Sequence, residues 1–231
     1  IRYGHGHGFY MQNGRGEWSG IQVDTANCEF DFDCDGASDI EEPFLNLASN
    51  RAARVEVLGT VMEVNGTTRI GSVSQVRHVK NVSIPEPVEV RTGTLGRNCS
   101  VSSEQYEGTL VRVLNATVLS NADEYNQIPI NDGSGTSELE DGVYDAAAHL
   151  THIYGSNMVG SRLVYLQGVV EWRGTVSGGN WEIHPRTETD VVGFTFEPSP
   201  LPTLMPTLAP SISLLPTLMP SALPSFYPSS F

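Results

Sequence analysis

The strongest chemical signal in the chain is a run of carboxylates in a twelve-residue stretch. Asp31, Asp33 and Asp35 alternate up to Gly36, and Asp39 and Glu42 follow. These fall at positions 1, 3, 5, 6, 9 and 12 of a calcium loop, where hard oxygens gather round one sharp glycine turn and the last residue is bidentate. The carbonyl of Ala37 supplies position 7. Without an ion the carboxylates repel one another, and oxygen donors of this kind select calcium over softer metals. The bland reading is an acidic surface loop.

Position 8 of the loop is Ser38, where an apolar residue is usual, and no helical pattern flanks it. The loop therefore resembles those of thrombospondin type 3 repeats more than a helix-flanked EF-hand. Cys28 and Cys34 bracket its first half. A disulfide there implies an oxidising compartment. Cys99 is left for burial, for a partner chain or for a segment outside this sequence.

Four Asn-x-Ser/Thr sequons, at Asn65, Asn81, Asn98 and Asn115, support secretion and N-glycosylation. Catalytic signals are weak. There is no nucleophile elbow, phosphate loop or zinc spacing. His5 and His7 alternate with glycines, and His149 and His152 lie three apart, but neither pair has a third ligand nearby. They read as a glycine-rich turn and a surface pair. His184, before Pro185, reads as a strand end. Glu171 and Glu182 could face each other as a carboxylate pair, as any two strands of an acidic protein allow. Trp172 and Trp181 are either a sugar-stacking platform or core. No catalytic residue is assigned, and the chain is expected not to be an enzyme.

The elements that carry these residues are strands. The chain has 231 residues and a formal net charge of −14, which opposes binding to nucleic acid or anionic membranes. It begins at Ile1 and shows no signal-peptide pattern, so it reads as a processed or partial chain. Residues 1–26 form short strands between glycine turns. From Arg54, Val55, Val57, Val61 and Val64 alternate with other residues up to Asn65-Gly66, a hairpin signal, and Thr67 to Val79 returns. A second pass follows. Its strands are expected at Tyr106–Leu119, Gln127–Asn131, from Val143-Tyr144, Ser161–Arg173 and Trp181–Pro185, with a short helix in Ala146–Tyr154 and a bend at Gly168. Five strands in that order suit an oligonucleotide/oligosaccharide-binding (OB) barrel.

The segments Gly8–Gln12, Ser19–Val23, Val57–Ile70, Tyr106–Val113 and Asn180–Arg186 resemble the tandem OB domains of secreted bacterial extracellular nucleases and related surface proteins. Their catalytic domain and a basic binding face have no counterpart here. The resemblance implies fold and secretion, not catalysis. The expected class is all-β, with two OB-like barrels and an extended tail. Residues 1–84 form the first barrel, which carries the calcium loop and lacks its first strand. Residues 85–193 form the second, and 194–231 the tail.

The tail holds nine prolines and ten Ser/Thr in its 34 residues from Pro198 to Phe231, with no charge after Glu197. Proline forbids helix and central strand, so a polyproline II rod of about 3.1 Å per residue is expected. Its proline-free runs are too short to cross a membrane or to signal a lipid anchor. The tail resembles the proline-rich stalks of microalgal cell-surface and wall glycoproteins. Pro202, Pro206, Pro210, Pro216, Pro220, Pro224 and Pro228, with Thr203, Thr207 and Thr217, are candidates for hydroxylation and O-linked sugar.

The expected function is that of a non-catalytic, extracellular structural glycoprotein assembling head-to-tail with copies of itself. The alternative is a carbohydrate-binding or accessory OB module of a larger secreted protein. The missing first strand would be supplied by Val191–Phe196 or by the apolar tail of a neighbour, or else by an N-terminal segment outside this sequence.

Overall fold

The computed structural model describes residues 8–24, 51–96, 101–141, 143–175 and 178–194. All lie within one compact unit, Ile1–Thr195. It is mainly β, built on two mixed sheets with few helices.

The first sheet holds β1 (Gly8–Gln12), β2 (Gly20–Asp24), β3 (Arg51–Val64) and β4 (Thr67–Ser83), in the order β1-β2-β4-β3. β1 and β2 are antiparallel, β2 and β4 parallel, and β4 and β3 antiparallel. The β3–β4 hairpin turns at Asn65 and Gly66, whose φ angles are 56° and 87°. Both are positive, as a two-residue type I′ turn requires, and Asn-Gly is the pair that supplies them most easily.

The second sheet follows β5 (Val88–Glu89), β6 (Leu110–Leu114), β7 (Thr117–Val118), β8 (Ile128–Asn131), β9 (Thr136–Leu139), β10 (Leu163–Thr175), β11 (Gly178–His184) and β12 (Val191–Gly193). Its order is β5-β6-β10-β11-β9-β8-β7, with β12 added beside β10. A one-turn helix α1 (Val101–Glu104) precedes β6, and α2 (Ala146–Tyr154) joins β9 to β10. Asp145 caps α2 by accepting from the Ala148 amide at 2.8 Å.

The expected long first strand is broken. Asn115, at φ 55°, separates β6 from β7. One half pairs with β10 and the other with β8, so one bent stretch reaches both ends of the order. The third strand also differs from expectation. It is Thr136–Leu139, while Val143-Tyr144 forms a bend before α2. Thr-Ser-Glu-Leu carries a buried glutamate, Glu138, which hid it from a pattern search. No closed barrel is present among the described residues.

The order β8-β9-β11-β10 repeats β1-β2-β4-β3 step for step: antiparallel, parallel, antiparallel. The difference lies at the ends. Among the described residues, nothing in the first sheet corresponds to β6–β7, and β1 and β3 are its outer strands.

Packing differs in the same way. The second sheet encloses a core that includes Leu95, Val111, Val113, Ile128, Ile130, Leu139, Leu150, Leu166 and Ile183. Each such side chain contributes on the order of 1.5–3 kcal/mol by leaving water. On the first sheet Val23, Val73 and Val76 form a small buried cluster, with Phe9, Met11, Val55, Val57 and Ile70 partly covered around them, while Tyr10 packs with Leu110 and Val169 of the second sheet. Every member of that cluster belongs to the first sheet itself.

Backbone contacts knit the sheets together. The Trp18 amide donates to Gln105 O at 2.6 Å, and the Leu110 amide to Gln12 Oε1 at 3.0 Å. Gly20 lies so close to Gly108 that an added Cβ would meet its carbonyl carbon at 2.1 Å. Trp172 Nε1 donates to Asn65 O at 3.1 Å, which seats the hairpin turn on the second sheet.

Candidate functional site

The sequence alternation of β9, β10 and β11 divides their residues between two faces. Leu139, Val170, Trp172, Trp181 and Ile183 fill the core. Glu138, Glu140, Glu171, Arg173, Glu182 and His184 point the other way. Register then gathers them: Glu171 lies opposite Glu182, and Glu182 lies beside Glu138 across the parallel pair. Glu140 follows β9, with its amide bonded to Ile183 O at 3.1 Å.

Charged residues on an outer face are usually solvated, but the four glutamates and the histidine here are buried. His184 Nδ1 lies 3.0 Å from Glu140 Oε2, while Nε2 lies 3.3 Å from Glu171 Oε2 and 3.6 Å from Glu182 Oε2. Arg173 Nη1 reaches Glu140 Oε1 at 3.0 Å. Gln127 Nε2 donates to Glu182 Oε1. From the first sheet, the Tyr10 hydroxyl donates to Glu171 Oε2 at 2.7 Å. Two buried atoms, Glu182 Oε2 and His184 Nε2, lack a hydrogen-bond partner.

Burial pulls the His184 pKa down, but Glu140, Glu182 and the charge of Glu171 outweigh it and hold it up at about 10. Burial pushes the Glu182 carboxyl up. Without an ion, an imidazolium therefore balances the carboxylates. Glu140, Glu182 and His184 each offer a ligand atom within 4.8 Å of the others, so the group could hold a metal ion.

The expected Glu171/Glu182 pair is thus brought together, inside a larger cluster. Trp172 and Trp181 pack against each other across the strands, centroids 5.2 Å apart and rings tilted by 54°, but they are only 5% and 1% exposed. They form core, and no sugar platform is available there. His184 does end β11. His149 lies 3.1 Å from Val191 O, and His152 is exposed. Asn65, Asn81 and Asn115 are all exposed. The expected strand donor Val191–Phe196 is corrected in part: Val191–Gly193 already pairs with β10 of its own chain.

The calcium-loop residues Asp31, Asp33, Asp35, Ala37, Asp39 and Glu42 lie outside the described residues. So do Cys28, Cys34, Cys99, Asn98, His5, His7, the tail prolines, Thr203, Thr207 and Thr217. Sequence reasoning missed Glu138, Glu140 and the role of His184. Their signal was faint: Glu-Leu-Glu was not read as a strand at all, and Glu-Ile-His read as an ordinary strand end. Among the described residues no helix is long and apolar enough to cross a membrane. The chain matches no protein-family model, no curated protein and no solved structure.

Proposed function

We propose that the chain is a non-catalytic structural glycoprotein of the cell exterior, a subunit that joins head-to-tail with copies of itself. The observation that carries this reading is that, among the described residues, no strand lies between β1 and β3. In the second half, β6–β7 occupies the equivalent place between β8 and β10. Both halves are read as OB-like, the first short of one strand. Two outer strands and a one-layer apolar face invite a segment from elsewhere. Leu58 and Val61, on β3, are 61% and 66% exposed.

The occupant is the tail of a neighbouring copy. With Val191–Gly193 engaged on β10, the donor begins beyond Gly193. Leu201, Leu204, Met205, Leu208, Leu214, Leu215, Phe226 and Tyr227 give it apolar side chains, while its prolines restrict ladder bonding. It therefore docks chiefly by side chains, as an extended polyproline II-like arm. A head-to-tail contact does not close on itself and generates a filament. The sequons and the Ser/Thr- and Pro-rich arm suit the glycan coat of an extracellular fibre, with sugar on the arm at the residues named above. The burial of the tryptophan pair removes the feature that favoured a carbohydrate-binding module.

Imaging of the concentrated protein tests this. The full chain forms filaments, deletion of residues 194–231 abolishes them, and Leu58→Lys with Val61→Lys weakens them. A deletion variant that still forms filaments of unchanged repeat refutes it. Calcium in the Asp31–Glu42 loop belongs to the same reading: it raises thermal stability with the logarithm of free calcium. Equal melting with calcium and with chelator removes that part alone.

A further inference from the structure

We propose that the cluster on β9, β10 and β11 is a binding site for a divalent transition ion of the zinc class, with His184 Nε2, Glu182 Oε2 and Glu171 Oε2 as ligands. Glu182 and His184 are 1% and 6% exposed, and the two atoms in question face each other at 3.6 Å without a hydrogen bond of good geometry. A buried ion pair that closes no good hydrogen bond is costly unless something sits between its partners.

The two spacings about the ring nitrogen fit an ion. Ligands about 2.0–2.1 Å from a tetrahedral zinc lie roughly 3.3 Å from one another. Nε2 lies 3.3 Å from Glu171 Oε2 and 3.6 Å from Glu182 Oε2. The donor set also selects the class of ion. Imidazole with carboxylates suits zinc and its neighbours, whereas calcium and magnesium favour oxygen alone. This separates the site from the carboxylate loop at Asp31–Glu42.

The surroundings are those of a supported ligand set. Glu140 Oε2, 3.0 Å from Nδ1, accepts that proton and leaves Nε2 to the ion. Arg173 holds Glu140 from its other oxygen at 3.0 Å. Gln127 holds Glu182 through Oε1, so Oε2 is left to bind. Tyr10 orients Glu171 at 2.7 Å and brings a residue of the first sheet into the shell around the ion. The ion would thus fasten β1 to the second sheet.

Zinc titrated into the chelator-treated full chain, by calorimetry in saturating calcium, tests the site. One zinc per chain is expected, with a rise in melting temperature. Cobalt in its place gives the visible absorption of a four-coordinate nitrogen–oxygen site. Glu182→Gln preserves size and weakens zinc binding at least about tenfold, and Glu140→Gln by about 10–100-fold, the usual effect of losing an orienting partner. A joint His5→Ala, His7→Ala variant binds as the parent does. Absence of zinc binding by the folded chain overturns the proposal. So does equal affinity in Glu182→Gln, or loss of binding in the His5/His7 variant. Should Glu182→Gln fail to fold, Tyr10→Phe decides: weakened zinc binding supports the site and unchanged binding overturns it.

Discussion

Replacing Glu107 by glutamine should make the protein more stable, and increasingly so as pH rises. Glu107 is buried where the sheets meet; its Oε2 accepts from the Thr68 amide at 3.0 Å and its Oε1 has no partner. Burial drives its pKa up from 4.5, the Thr68 amide pulls it back, and the charges of Glu104 and Glu63 push it further, to about 8. The folded chain therefore holds a proton that the unfolded chain has lost. Stability from this group is complete below about pH 4.5, falls as pH rises, and is gone above about pH 8. The difference between those limits corresponds to at most about 5 kcal/mol at 1.36 kcal/mol per pH unit, less whatever solvation water restores. Glutamine keeps an acceptor for Thr68 and has no proton to lose. Urea unfolding of parent and variant between about pH 4 and pH 9 measures it. The two should converge at the acid end and differ by a few kcal/mol at the alkaline end, with the variant the more stable. If the two stability curves run parallel, Glu107 is ionised in the folded state and the reasoning fails. Taking the difference between the two proteins cancels His184 and every other titrating group.

Two further changes probe the packing. Gly66→Ala places a Cβ 2.5 Å from Trp172 Nε1 at a φ of 87°, and should cost on the order of 1–3 kcal/mol in urea unfolding. An unchanged midpoint would show that the turn is not seated on Trp172. Asp190 accepts from Arg186 Nε at 2.7 Å and from Nη2 at 2.8 Å, both side chains being buried. Asp190→Ala leaves that guanidinium unpaired and should destabilise by about 3–5 kcal/mol; a loss below about 1 kcal/mol would mean that water reaches it.

Local chemistry was the legible part of this fold. Asn65-Gly66 announced its hairpin because few other pairs accept two positive φ angles. Gly8–Gln12, Gly20–Asp24 and α2 lie where pattern and turn residues put them. Asn115 was read as mid-strand because nothing in Leu-Asn-Ala-Thr marks a single left-handed residue, yet it lets one stretch serve two partners. Glu138 on β9 went unread, because Thr-Ser-Glu-Leu shows no alternation of apolar residues. The buried cluster was illegible for a related reason. Its members come from three strands, and only the parallel pairing of β9 with β11 brings residues 138–140 to residues 182–184. That pairing spans more than forty residues of sequence, beyond the reach of any periodicity.

On the proposed reading, the place left open between β1 and β3 among the described residues is a receptor, and the tail is a ligand on the same chain. In a row of copies joined this way, every interior receptor is filled and every interior tail is spent. Only the two terminal copies differ, one with an empty receptor and the other with a free tail. The ends are then chemically unlike and grow by different encounters. A short peptide copying the tail would stop growth at one end alone, at concentrations far below those needed to dismantle the interior.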